Sequence, residues 1–146
     1  MDDAVELPMF PLGSVLFPAM PLPLRVFEPR YLAMLQDILP AQPAEFGVVL
    51  IERGQEVGGG EKRFDVGVVA QVADLKVGDG FIGLIAEGTR RFEVGDWLAE
   101  DPYPLASVRE LPALEWDDDL RERRDQTEML VRRTLARSSE FEDLVW

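Results

Sequence analysis

The chain has 146 residues, 47% of them hydrophobic, and carries 15 basic against 28 acidic side chains for a net charge of −13. Such a length forms one domain with at most an appendage and buries roughly 68 to 70% of the surface its unfolded form exposes. The absence of cysteine excludes disulfides and thiol chemistry, and the absence of histidine removes the commonest general base and metal ligand. The charge repels phosphate backbones, so nucleic acid is not an expected partner. Met1-Asp2-Asp3 opens no leader pattern and no apolar run approaches the roughly 18 residues of a membrane span. A cytoplasmic protein with no membrane partner is expected.

The stretch from Leu7 to Phe27 holds five prolines among apolar residues. Proline has no N–H to give to a ladder, so short edge or bulged strands broken by turns are expected, not a helix. Pro29 then takes the favoured first position of a helix, and Tyr31, Leu32, Leu35, Ile38 and Leu39 recur at helical spacing until Pro40 ends it. Phe46 to Ile51 is a continuous apolar run that predicts a strand buried on both faces. Arg53 to Lys62 is glycine-rich and predicts a loop, and Gly58-Gly59-Gly60-Glu61-Lys62 lacks the hydroxyl residue and following helix of a phosphate cradle.

Phe64, Val66, Val68, Ala70 and Val72 alternate with their neighbours as one buried face of a strand. Val77-Gly78-Asp79-Gly80 is a turn into a strand from Phe81 to Glu87, and Gly88-Thr89 fits a two-residue hairpin turn into a strand from Arg90 to Trp97. An antiparallel meander follows, with a last strand over Tyr103 to Glu110. The composition then changes. Trp116 to Arg137 predicts a charged helix with Asp117, Asp118 and Asp119 at its front and Arg132, Arg133 and Arg137 at its back, complementing the helix dipole. Ser139 to Glu142 reads as a capping box opening a second helix, so the chain is expected to be cut inside a helical hairpin. The organisation expected is a β domain over residues 1–112 and a truncated start of a helical subdomain over 113–146.

Phe10-Pro11-Leu12-Gly13-Ser14-Val15-Leu16-Phe17-Pro18, followed by Pro21-Leu22-Pro23-Leu24-Arg25-Val26-Phe27-Glu28-Pro29-Arg30-Tyr31, resembles the opening of the Lon protease N-terminal, substrate-binding domain family. Phe46 to Leu50, Phe64 to Ala70 and Gly88 to Phe92 extend the resemblance over about residues 7 to 112. It implies an α+β, mainly β fold, a PUA-like antiparallel pseudobarrel with one inserted helix and a C-terminal helix. It also implies capture of unfolded or tagged polypeptides by a stand-alone bacterial domain, with a protease or chaperone as further partner. The chain contains neither a P-loop nor a matching Ser-Lys peptidase motif, so no enzyme is expected.

Arg25, Glu28, Arg30, Glu87, Arg90 and Arg91 are set within or beside apolar strands and, with no His or paired acid, are expected to form a structural ion-pair network rather than a catalytic one. Glu115 and Asp117 to Asp119 are expected to cap a helix rather than bind a cation, so neither a metal nor a cofactor is expected. Phe17, Met20, Leu22 and Leu24 crowd the proline-rich edge. They are either core or, where the prolines break the alternation, the lining of an apolar groove for an extended peptide. The function expected is non-catalytic protein and peptide binding by a monomer or weak dimer. The alternatives are an RNA-binding PUA-like module and a dedicated protein–protein adaptor.

Overall fold

The computed structural model describes residues 4–53 and 62–141. The glycines at 58 to 60, with Glu61, and the end of the capping box at Glu142 lie outside the described residues. The chain divides into two compact units, Met1–Ala113 and Leu114–Trp146. The first holds strands β1 (Val5–Leu12), β2 (Pro21–Val26), β3 (Glu45–Arg53), β4 (Lys62–Val77), β5 (Ile82–Trp97) and β6 (Leu105–Glu110), with helix α1 (Pro29–Ile38) between β2 and β3. The second holds a 3-10 turn over Asp118–Leu120 and helix α2 (Arg121–Phe141).

The strands follow the order β2-β5-β4-β3-β1-β6, and β6 pairs back onto β5, which closes a ring of five strands and leaves β2 as an arm on β5. All ladders are antiparallel except that of β1 with β3, which is parallel. Each strand of the ring sends apolar side chains inward: Met9, Val49, Val69, Phe92, Val94, Ala106 and Val108 form one buried cluster. A second, larger cluster lies on the outer face against α1, where Tyr31, Met34, Leu35 and Ile38 meet residues such as Phe10, Phe46 and Val68. The Tyr31 ring stacks on Phe10 with centroids 4.0 Å apart. Successive residues of β3 therefore serve the two clusters in turn, Phe46 and Val48 outside and Val49 inside, as a run buried on both faces requires.

β1 is not an edge strand. Val5 to Pro8 pair with β6 and Met9 to Leu12 with β3, so the strand changes partner midway. Met9 N–H donates to Pro104 O on the β6 side, and by alternation the nitrogen of Pro11 points the same way, beyond the last β6 pair, while that of Pro8 points towards β3 before the β3 ladder begins. Each proline thus lacks its N–H where no partner strand runs.

The expected hairpin at Gly88-Thr89 is absent, and β5 runs unbroken through both residues. Ala70 pairs with Gly88 and Val68 with Arg91, so the local irregularity is a bulge that bends β5, and Thr89 Oγ1 donates to Val69 O at 3.1 Å. Gly88 is required by a close approach instead of a turn: a Cβ there would run into Phe17 O. The predicted strand at Tyr103 begins at Leu105, and the predicted helix at Trp116 begins at Arg121 after the 3-10 turn. Ser139 caps nothing. It lies inside α2 and its hydroxyl donates to Ala136 O at 2.8 Å, the back-bonding open to a serine within a helix. Side chains from Arg121 to Ser139 are all exposed. Glu128 pairs with Arg132 at 3.1 Å, four residues apart as predicted.

Phe92 is 1% exposed and fits the ring interior because two of the residues facing it, Gly47 and Gly67, are glycines. A Cβ on Gly67 would meet the Phe92 ring at 2.7 Å and run into Val48 O. Gly67→Ala is expected to destabilise the domain by about 3 kcal/mol, read as a lower urea midpoint at unchanged slope. Tyr103 O–H donates to Asp37 Oδ2 at 2.7 Å, tying the segment before β6 to α1. That bond, then burial, raises the phenol from its ordinary 10.0 to about 12. The folded chain holds this proton more tightly than the unfolded chain, so the stabilisation is full below pH 10 and is lost as pH rises from 10 through about 12. An absorbance titration should show a tyrosinate step near 12 that disappears in Tyr103→Phe, with a shallower alkaline loss of stability in the variant.

Candidate functional site

The proline-rich segment between β1 and β2 folds against β5 as a tight turn. Met20 N–H donates to Phe17 O at 3.1 Å, with Pro18 and Ala19 as the central residues. Ala19 takes a left-handed φ of 67°, which together with Pro18 is the signature of a type II turn. Gly88 clamps it from the sheet, accepting from Ala19 N–H at 2.8 Å and donating to Met20 O at 2.9 Å. The turn's outer residues face solvent, Phe17 at 63% and Met20 at 40% exposure. Leu22 and Leu24, by contrast, fall on the inner face of β2, Leu22 buried and Leu24 packed beside it against the α1 core. The four candidate groove residues are therefore divided, two on the surface and two turned inward.

The charged candidates tie elements together. Arg30 reaches Glu28 at 3.5 Å and Glu100 at 3.0 Å, and Arg63 joins Glu100 at 3.4 Å. Arg63 also lies 4.4 Å from the centre of the Trp97 ring. Arg90 forms a fork on Glu45, at 3.0 and 3.2 Å, and meets Glu110 at 3.4 Å. The Glu45 bond raises the Arg90 pKa against the opposing effect of burial. Arg91 donates to Pro112 O at 3.0 Å, and Arg25 stacks over the Phe81 ring at 4.2 Å. Glu87 is exposed, with its backbone between Pro21 and Gln71. In the second unit the Asp117 carboxylate accepts from Asp119 N–H at 3.0 Å, which caps the 3-10 turn. Asp118 accepts from the Trp116 indole and from Arg121, each at 2.9 Å, and these bonds lower its pKa in that order.

One apolar concavity in the first unit involves residues that the sequence pattern assigned to a buried strand face. It has a volume of ~300 Å³ and is lined by Val15, Leu16, Val48, Leu50, Phe64, Asp65, Val66 and Gly67. Leu16 and Val48 belong at the same time to the core under α1, so the pocket floor is part of that core, while Phe64 and Val66 are 43% and 52% exposed at its side. Alternation places Phe64, Val66 and Val68 on one face of β4. It does not reveal where along the strand the cover of α1 and the β1–β2 segment ends.

A closed β ring with an added arm, an inserted helix and an exposed apolar pocket defines a β-barrel binding module. The family model of the ATP-dependent protease La (LON) substrate-binding domain matches residues 6–144, and the chain belongs to that family. The match runs beyond the expected residue 112 into the second unit. Among curated proteins, Lon protease 2 of Herpetosiphon aurantiacus is 33% identical over 107 residues, covering 72% of this chain and 13% of the relative. Lon protease of Anaeromyxobacter dehalogenans is 34% identical over 110 residues, 73% of this chain and 13% of the relative. The chain thus spans about an eighth of these relatives' length, and the matched region is their substrate-binding domain, not a catalytic domain. A crystal structure of a Lon N-terminal domain protein from Xanthomonas campestris superposes with a TM-score of 0.66 at 33% identity, over 80% of this chain and 67% of that one. The N-terminal domain of the Mycobacterium avium complex Lon protease shares the fold, with a TM-score of 0.66 at 17% identity over 94% and 71% of the two chains. Among the described residues no helix is long and apolar enough to cross a membrane.

A left-handed alanine costs about 1 kcal/mol relative to glycine. Ala19→Gly is therefore expected to raise stability by about that amount in thermal unfolding, since glycine takes this φ without strain, while Phe17 and Met20 stay exposed.

Proposed function

We propose that the domain recognises unfolded polypeptide segments by taking an apolar side chain into the pocket between the β1–β2 segment and β4. The observation that carries this reading is the ~300 Å³ apolar pocket with Phe64 and Val66 exposed at its side. Its volume lies at the lower end of the roughly 300–1,000 Å³ usual for ligand pockets, enough for one large aliphatic or aromatic side chain of a client. Phe17 and Met20 add apolar surface on the turn that follows Val15 and Leu16, and methionine adapts to clients of different shape. Family membership supports the same role, as does the description of that family as a substrate-binding domain.

The action is binding, not catalysis. Among the described residues no aspartate, glutamate, lysine or arginine is buried. The groups with displaced pKa, Arg90, Tyr103 and Asp118, do not line the pocket. The net charge of −13 favours basic clients and raises their encounter rate at low salt. A captured segment is held for a protease or chaperone to process.

The test is fluorescence anisotropy of a labelled, permanently unfolded polypeptide titrated with the domain, beside the same polypeptide in its folded form. Binding of the unfolded form alone is expected, tighter for a basic than for an acidic sequence. Phe64→Ser and Val66→Thr each remove about 1 to 2 kcal/mol of apolar contact, so together they should raise Kd at least about tenfold without lowering Tm. Absence of binding by the wild type at high micromolar concentration overturns the reading.

A further inference from the structure

The far half of β4 has a partner on one side only. β3 accompanies it to Gln71, opposite Glu45, whereas β5 accompanies it to Val77, opposite Ile82. Across the turn that follows, Gly78 N–H donates to Phe81 O at 2.9 Å. The alternation of an antiparallel ladder then points the N–H groups of Lys76 and Asp74 towards β5 and those of Leu75 and Val77 away from it. The bond at Leu75 agrees: its N–H donates to Asp74 Oδ1 at 2.9 Å, the carboxylate of its own neighbour. Leu75 and Val77 are 37% and 74% exposed, with Asp74 and Lys76 exposed on the other face of the strand.

Two other partnerless stretches in the first unit carry proline. β2, the outer strand of the arm, has Pro21 and Pro23, and Pro8 and Pro11 occupy the sides of β1 where its partners stop. Proline on an edge prevents strand addition. Ala73 to Val77 contains none, and its guard is the single carboxylate of Asp74, which can swing away where a proline ring cannot.

We infer that the Asp74–Val77 edge of β4 accepts a segment of unfolded polypeptide as an additional β strand, with Asp74 as the displaceable guard. The inference rests on the polypeptide-binding reading above and specifies the backbone that holds the client. The segment it fits is extended and free of proline, because two outward N–H groups two residues apart require carbonyls at strand spacing. Its side chains alternate. Apolar ones fall beside Leu75 and Val77, and those on the other face fall beside Asp74, where a lysine or arginine complements the released carboxylate. A helical or proline-rich segment cannot supply this pattern.

The probe is a labelled, uncharged peptide of alternating valine and threonine, followed by anisotropy, together with a second version N-methylated on alternate amides. Asp74→Ala frees the Leu75 N–H and should tighten binding several-fold. Leu75→Pro removes that donor without touching the β5 ladder and should weaken binding about fivefold or more. The N-methylated peptide should lose a similar factor on the wild type, a readout that stands even where Leu75→Pro unfolds the domain. If the wild type binds the parent peptide and all three changes leave its affinity unaltered, the edge is not the site, while the polypeptide-binding reading stands. If the wild type binds no unfolded probe, that reading fails and this one with it. Sedimentation showing dimers that disappear in Leu75→Pro assigns the edge to a second copy of the chain and overturns the proposal.

Discussion

The ring of Phe92 occupies the space that five strands enclose, and two glycines facing it leave the room it needs. Gly67 comes from β4 and Gly47 from β3, and a Cβ on either would press on the phenyl group. An aromatic ring at the centre of a small closed barrel sets the distance between opposite walls, because the interior is packed to near-crystalline density and tolerates little change of volume. With that distance fixed, the outer face of β3 and β4 falls at the right height for α1 to cover. The stacked pair of Phe10 and Tyr31 then joins helix to sheet. The pocket beside Phe64 begins where that cover stops.

The parts of the fold that could be read in the sequence are those governed by local periodicity. α1 shows its apolar spacing and its bounding prolines, and β3 shows the continuous apolar run of a strand with both faces covered. Periodicity failed where a residue type answers to a distant neighbour. Gly88 reads as a turn because glycine usually frees the backbone, yet its role is to admit Phe17 O from a segment some seventy residues earlier. Ser139 reads as a cap because the local pattern of a capping box is complete, yet the helix passes through it.

The site was legible in the same partial way. The proline-rich stretch signalled a surface with apolar residues that cannot all turn inward, and Phe17 and Met20 do face solvent while Leu22 turns inward. Phe64 and Val66 carried no such signal, since an exposed and a buried apolar residue on one strand face look alike until the covering element is known. The network of Arg30, Arg63 and Glu100 joins the start of α1 to β4 and to the segment after β5. Only Arg30 of these three stood out in the sequence, because ion pairs between distant elements have no periodic mark.

The change of partners along β1 bears on the order in which the chain can assemble. Val5 to Pro8 find their ladder on Leu105 to Val108, close to the other end of the first unit, whereas the β3, β4 and β5 meander joins neighbours in sequence. During synthesis from the N-terminus the meander can form as soon as it leaves the ribosome. β1 must stay open on one side until β6 arrives. Through that interval Pro11, whose nitrogen faces the open side, acts as more than a feature of the finished barrel: it makes the waiting strand a poorer template for any other chain that meets it.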